Sequence, residues 1–357
     1  MTKIAVICDS HWGVRGDNVH FLDMNKRFLE NVFFPTIDEQ RIKCVLHLGD
    51  VVDKRKQISF QTANCLRKDF LEPLADRGVR TIVTVGNHDC FYKNTNKINA
   101  LTELVQDKYT NFEVLIDPTE MELYNQKILM LPWICQENQE NSMRMINETN
   151  ASICLGHLEI EGFEMYKGLV NEHGKSRQLF DKFHMVLSGH YHHVSSDGSI
   201  NYLGSHGEFT WSDYNDPRGF HILDLQKKDL TFCQNPYTMF SKIWYDDNGK
   251  ELKDLLATDF SLYQNKIVKL IVQNKTNPYW FDRFCEKLES TGLINLQIVE
   301  DHLNLNVENP EDIVDEAQST IDIFRKHISQ ISDFDDNNRS KLETLIVELY
   351  NNAITVE

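Results

Sequence analysis

Positive charge is scarce in this chain: 37 lysines and arginines face 54 aspartates and glutamates, a formal net charge of −17 over 357 residues. Such a balance argues against a surface built for polyanions, unless bound metal ions supply positive charge locally. Proline and glycine are few, 8 and 16, which excludes collagen-like and low-complexity chains. The eight cysteines form no C-x-x-C pair, and several sit inside apolar runs where a reduced thiol behaves as a small hydrophobe. A disulfide scaffold is therefore excluded. No apolar run approaches the roughly 20 residues a bilayer requires. The apolar stretch that follows Lys3 stops at Asp9, short of a signal-peptide core. A cytoplasmic protein without membrane attachment is expected. A Walker-type glycine-rich phosphate loop is also missing, so any ATP hydrolysis has to come from a partner.

What is present is the composition of a globular protein, 41% hydrophobic and 25% charged, in a chain long enough for two or three domains. Short apolar β-rich runs at 4–8, 44–48, 79–85, 128–131, 153–155 and 185–187 alternate with amphipathic segments such as 25–37 and 60–75. That alternation predicts an α/β fold with buried strands. After about residue 193 the pattern becomes strand-turn-strand, with 201–203 and 219–225 its clearest pieces, and a second sheet is expected there. Around Pro236 a strand-helix-strand unit begins (266–272, 277–288, 295–299), which reads as a small separate α/β domain. From Pro310 the apolar residues Ile313, Ala317, Ile321, Phe324, Ile328 and Ile331 recur at helical steps, and a second stripe follows at Leu342, Leu345, Ile346 and Leu349. The expected units are 1–235, 236–309 and a helical tail, 310–357.

Five short motifs fall at or just beyond the ends of predicted strands: Asp9-Ser10-His11, Gly49-Asp50-Val51-Val52-Asp53, Gly86-Asn87-His88-Asp89, Gly156-His157 and Gly189-His190-Tyr191-His192. In open α/β sheets the carboxyl ends of strands converge on one site. Carboxylate, imidazole and amide oxygen are the donors that hold hard or borderline divalent cations, and without a thiolate they favour manganese, magnesium or iron over structural zinc. In an extended x-His-x-His segment, His190 and His192 would point to one face. Glycines just before the ligands would let the backbone turn sharply. Gly-Asn-His-Asp alone should arise by chance with odds of about one in a thousand from average residue frequencies. Its company of four other motifs in order makes coincidence negligible.

The ordered set resembles the signature of calcineurin-like metallophosphoesterases. Within them it is similar to the SbcD-type nuclease subunits of recombination and repair complexes, including those of T-even-like phages, a likeness suggested by Tyr202-Leu203-Gly204-Ser205 and by the run from Trp211 through Asp213, Asn215, Asp216 and Pro217 to Phe220. The resemblance implies a two-sheet α/β/β/α sandwich with a small α/β capping domain and the helical tail. It implies two divalent metal ions, manganese before magnesium: one on Asp9, His11, Asp50 and His192, the other on Asp50, Asn87, His157 and His190. Asp50 would bridge, Asp53 would orient a ligand, and His88, left without a ligand role, would act on the scissile phosphate or leaving group.

The protein Ser/Thr phosphatases of this scaffold typically read G-D-x-V-D-R-G and G-N-H-E, both different here. The basic patch Lys54, Arg55 and Lys56, with Lys93 and Lys97, offers phosphate contacts for DNA. The resemblance further implies 3′-to-5′ exonuclease activity on duplex ends, endonuclease activity on single strands, and a homodimer assembled with an SbcC-type coiled-coil ATPase. Ile313, Ile321, Phe324, Ile328, Leu342, Leu345 and Leu349 would dock on that ATPase. A non-catalytic DNA-end scaffold is disfavoured because every ligand position is filled, and a small-molecule phosphodiesterase because it needs neither cap nor tail.

Overall fold

The computed structural model describes residues 2–166, 169–300 and 341–342. Strands β1 (Lys3–Ile7), β2 (Cys44–Leu48), β3 (Arg80–Thr84) and β4 (Phe112–Leu115) run parallel in one sheet. The chain then builds the second sheet from β5 (Thr119–Leu123), β6 (Gln126–Leu131) and β7 (Ile153–His157). After a small hairpin, β8 (Glu164–Tyr166) and β9 (Leu169–Val170), it adds β10 (Met185–Gly189), β11 (Ser195–Ser196) and β12 (Ile200–Tyr202). It returns to the first sheet with β13 (Gly219–Asp224) and β14 (Asp229–Gln234). The orders are β14-β13-β1-β2-β3-β4 and β11-β12-β10-β7-β6-β5.

The strands after residue 193 therefore do not make a sheet of their own, as the sequence suggested. β12 extends the sheet already begun by β5–β7 and β10, while β13 pairs antiparallel with β1 from the other end of the chain. Such pairing across the whole chain leaves no local signature.

Alternation along the strands fixes the layers. Ile4 and Val6 of β1, Leu46 and Leu48 of β2, and Ile82 of β3 face Ile128, Met130, Ile153, Leu155 and Leu187 of the other sheet. Ala5, Ile7, Val45 and Val83 point outward against Phe28, Phe33, Leu66, Phe70 and Leu74 of the covering helices. Each of the valine, leucine, isoleucine, methionine and phenylalanine side chains contributes about 1.5–3 kcal/mol on full burial. Two-sided burial explains why these strands read as continuous apolar runs. One outer layer comprises the helices Val19–Phe28 and Phe34–Glu39, joined by the π-helical turn Leu29–Phe33, and a similar pair, Phe60–Leu66 and Glu72–Asp76, around Arg67–Leu71. Ser59 starts the second of these, its hydroxyl accepting from Thr62 N at 3.1 Å. Helix Gln139–Glu148 covers the other sheet through Ile146, beside Phe180 and Phe183.

Residues 240–299 form a three-stranded parallel sheet, β15 (Phe240–Asp246), β16 (Ile267–Asn274) and β17 (Asn295–Val299). Its first strand was not among the predicted ones. Helix Pro278–Glu289, capped by Asn277, makes one crossover and packs Phe281, Phe284 and Leu288 on Tyr245, Val268, Leu270 and Val272. A separate cluster of Phe21, Met24 and Phe209 with Met239 and Phe240 joins this cap to the body. Of the tail, Lys341 and Leu342 are described, both helical with Leu342 half-buried. Ile313, Ile321, Phe324, Ile328, Leu345 and Leu349 lie outside the described residues.

Candidate metal centre

Because β1, β2 and β3 are parallel in one sheet, and β7 and β10 in the other, both sheets deliver their carboxyl ends to the same edge. Asp9 and His11 follow β1, Asp50 and Asp53 follow β2, and Asn87 and His88 follow β3. His157 is the last residue of β7, and His190 comes directly after β10.

The backbone there is strained. Asp9, His11, Asp50 and His190 all have positive φ, 50°, 40°, 54° and 85°, a conformation that costs a non-glycine residue about 1–3 kcal/mol and gathers at functional sites. His190 is thus not in an extended strand. The two-residue alternation expected for His190 and His192 does not hold, since a left-handed turn beyond β10 carries them. Of the glycines that precede ligands, Gly49 has positive φ, 86°. At Gly86 the requirement is room, for a Cβ would stand 2.2 Å from Asp50 N.

Backbone bonds hold the strained loops: Asp9 N donates to Gly49 O at 3.0 Å and His11 N to Asp50 O at 3.1 Å. Asp89, to which the sequence assigned no role, is the clamp. Its carboxylate is fully buried and accepts from Val51 N, Val52 N and Gly86 N at 2.9, 3.0 and 2.8 Å, tying two ligand loops together. Burial, then the nearby Asp50 charge, lifts its pKa to about 7 against the hydrogen bonds from Val52 N and Gly86 N.

Three donor groups have ligand atoms within 4.8 Å of one another: Asp9, His11 and His192 in the first, Asp50, His157 and His190 in the second, and His11, Asp53 and His88 in a third that shares His11 with the first. In the second, Asn87 Oδ1 stands 3.0 Å from both His157 Nε2 and His190 Nδ1, and Asp50 Oδ2 lies 3.3 Å from His157 Nε2. In the first, His11 Nε2 and His192 Nε2 are 3.0 Å apart, with Asp50 Oδ2 at 3.8 Å from His11. Asp50 therefore reaches both of these groups. Ligand atoms about 2.1 Å from an ion and at right angles to each other stand about 3.0 Å apart.

The tautomers sharpen this fit. His157 Nδ1 faces Leu48 O at 2.7 Å and so must carry a proton. In neutral His157, Nε2 then turns a lone pair toward the oxygens of Asn87 and Asp50. Lone pairs converging in this way require a cation between them, or a proton. Burial opposes protonation of His157, but Asp50 and Asp9 outweigh it and raise the pKa to about 9. Burial likewise opposes protonation of His11, and Asp53, Asp50 and Asp9 together raise it to about 9. His190 and His192 are driven below their ordinary value by burial first and by the neighbouring histidines next. The residues present fit a pair of divalent ions.

Asp53 lies beside two imidazoles: Oδ1 is 3.3 Å from Nδ1 of His11, the ligand candidate it would orient, and its carbonyl accepts from His88 Nδ1 at 2.6 Å. His88 N donates to Asp50 Oδ1 at 2.7 Å, and its ring stands edge-on to His11 with centroids 4.8 Å apart. Burial holds His88 below the ordinary imidazole value. Sequence reasoning missed three further neighbours. Phe209 packs on His11 and His192, Arg218 bonds the His192 carbonyl, and the Trp133 ring lies 5.1 Å from that of His190. The Trp211–Phe220 run brackets Arg218 and was the nearest signal for it.

The basic patch divides by its partners. Lys54 is drawn to Asp17 at 3.5 Å, a carboxylate also held by Ser59 and Thr62, and Lys97 is ion-paired with Glu137. Lys54 and Lys97 thus each have an acidic partner within the protein. Arg55 is half-buried, and Lys56 and Lys93 are exposed.

The motif geometry is that of a calcineurin-like phosphoesterase; the model of that family matches residues 2–194, and the chain belongs to it. The chain is 30% identical over 354 residues to exonuclease subunit 1 of Enterobacteria phage T4, covering 98% of each. Over 254 residues it is 29% identical to the D subunit of nuclease SbcCD from Staphylococcus epidermidis, 64% of this chain and 67% of that one. The corresponding protein of Staphylococcus saprophyticus is 26% identical over 42% of this chain and 37% of its own length. No helix among the described residues is long and apolar enough to cross a membrane.

Proposed function

We propose that this metal-dependent nuclease acts on DNA as the catalytic subunit of a recombination and repair complex in the cytoplasm. It would degrade duplex ends 3′-to-5′, cut single strands endonucleolytically, and work with a coiled-coil ATPase of the SbcC type. The observation that carries the reading is the pair of donor groups that share Asp50 at the carboxyl edge of both sheets. Asp9, His11, Asp50 and His192 would hold one ion, and Asp50, Asn87, His157 and His190 the other, with manganese the expected metal. When bound, such a pair supplies Lewis-acid polarisation of the phosphoryl group and an activated water.

The chain's own residues supply the rest. Asp53 O fixes the proton of His88 on Nδ1, so Nε2 is the atom free to meet a substrate. A phosphate nearby favours the imidazolium, and its Nε2–H would then steady the developing charge or protonate the leaving oxygen. Lys56 and Lys93, with Arg55, are the stronger candidates for backbone phosphate contacts, and the cap, 236–309, would carry further DNA recognition.

A homodimer is supported by an exposed apolar patch beside these loops. Phe60 is 96% exposed, Tyr92 and Ile98 are each 50% exposed, and a groove of about 170 Å³ is lined by Ile58, Phe91, Ile98 and Leu104 together with Lys54, Arg55, Lys56 and Glu103. A protruding aromatic near a groove with an apolar floor can pair with its own copy about a two-fold axis. The stripes of the tail, 310–357, would dock on the ATPase.

The test is incubation of the purified chain with end-labelled duplex and single-stranded DNA and a chromogenic phosphodiester, with manganese, magnesium or a chelator. Manganese-dependent release of nucleotides from DNA is expected. Hydrolysis of the small diester with intact DNA would overturn the DNA assignment.

A further inference from the structure

Segment 204–218 touches the metal-binding imidazoles on one side and the cap on the other. On the metal side, Phe209 sets its ring edge-on to His11 and His192, with centroids 5.7 and 5.9 Å apart. Buried Arg218 donates through Nη1 to the His192 carbonyl and to Ser205 Oγ at 2.9 Å. Its Nη2 donates to Asp213 and Asp216 at 3.0 and 2.7 Å. The other oxygen of Asp213 accepts from Phe209 N at 2.7 Å and Thr210 N at 2.8 Å, so one carboxylate joins the guanidinium to the peptides that carry the Phe209 ring.

Next in the chain, the contacts switch sides. The Trp211 ring lies beneath Lys269 Nζ, 4.2 Å from its centroid, and against Phe240 at 4.7 Å. The Tyr214 ring lies 4.6 Å from Lys242 Nζ. Lys242 and Lys269 are direct partners in the β15–β16 register, so the cap grips this segment with two adjacent cations over two rings. Before Phe209, the Glu208 carboxylate accepts from Met239 N and Phe240 N at 2.7 and 2.9 Å. Glu208 and Trp211 therefore face the cap, while Phe209 between them touches the imidazoles and shares a cluster with Met239 and Phe240.

His192 depends on this arrangement more than His157 does. Its Nδ1 is buried without a hydrogen-bond partner among the described residues, whereas the matching atom of His157 is pinned to Leu48 O. The orientation of the His192 ring rests on Phe209 packing and on where Arg218 places its backbone.

We propose that residues 208–218 are a coupling strap through which the seating of the cap sets the position of His11 and His192. Phe209 and Arg218 are positioning residues, and the Lys242 and Lys269 contacts are the grip. This rests on the reading of His11 and His192 as metal ligands. Because linkage is reciprocal, an ion in that half favours one seating of the cap, and a cap held elsewhere weakens that ion.

The test is manganese binding by the full chain, followed through the spectrum of the free ion and independent of hydrolysis. The variants are Trp211→Ala, the pair Lys242→Met with Lys269→Met, Arg218→Lys, and Trp244→Ala on the exposed part of β15 as a control. Trp211→Ala and the lysine pair should weaken one of two ions by about threefold to thirtyfold, and Arg218→Lys by about ten- to a hundredfold. The other ion and the control should stay as in the wild type. Trp211→Ala combined with Arg218→Lys should be non-additive, since both act through one element. The coupling is overturned if Trp211→Ala and the lysine pair bind both ions normally, or if they weaken both equally, as general loosening would. A wild-type chain that binds no manganese removes the ligand reading itself, and the strap with it. Should Arg218→Lys misfold, the cap-side variants, which leave every metal-side bond in place, decide the matter.

Discussion

His157 and His192 each aim an imidazole nitrogen at other ligand atoms, but the chain holds them by different means. His157 closes a strand buried between two layers and bonds the carbonyl that ends β2 in the facing sheet. His192 lies beyond its strand, with one ring nitrogen unpartnered among the described residues and the ring leaning on Phe209. His157 thus takes its rigidity from the sheets. His192 leans on a segment that also touches the cap, and under the proposed coupling it is the ring that the seating of the cap would adjust.

The largest effect that separates chemistry from metal binding is expected at His88, which shares a donor group with His11 and Asp53 but is assigned to neither ion. His88→Ala should lower the single-turnover rate by about two to four orders of magnitude while two ions remain bound. Loss of an ion would place His88 among the ligands instead. Next comes the sheet-built half. Gly86→Ala forces a Cβ against Asp50 N and should cost about 1–3 kcal/mol of stability, read as a lower urea midpoint. A midpoint equal to that of the wild type would mean that the close approach of the two loops is not fixed.

The strap side should respond to pH. Burial lifts the Glu208 carboxyl from an ordinary 4.5 to about 7, against the N–H bonds of Phe240 and Met239. Between those values the folded chain holds a proton that the unfolded chain releases, so this contribution is complete at low pH and is lost as pH rises through about 7. Glu208→Gln should flatten that part of the stability profile, and an unchanged slope would remove Glu208 as its source.

The ligand-type residues were legible because each lies in a short contiguous motif at a strand end, where chain direction alone says they converge. The body's two layers were legible from continuous apolar runs. The strap was not, since Phe209, Glu208 and Arg218 reveal their parts only through contacts with residues far away in sequence, such as His11 and Met239. For the same reason the capture of Lys54 by Asp17 was hidden: an acidic residue in a left-handed turn after the first motif gives no hint that it neutralises a lysine after the second. Asp89 sat inside a recognised motif, yet its clamp needs the folded adjacency of the β2 and β3 loops.

The most direct test of the central claim is the number of manganese ions held per chain. Two are expected in the wild type and one in His157→Gln. One is also expected in His192→Gln, with a different ion lost as judged by its affinity, and neither should bind tightly in Asp50→Ala. Loss of the same ion from both histidine variants, or two ions retained by Asp50→Ala, would contradict a centre of two halves joined at Asp50.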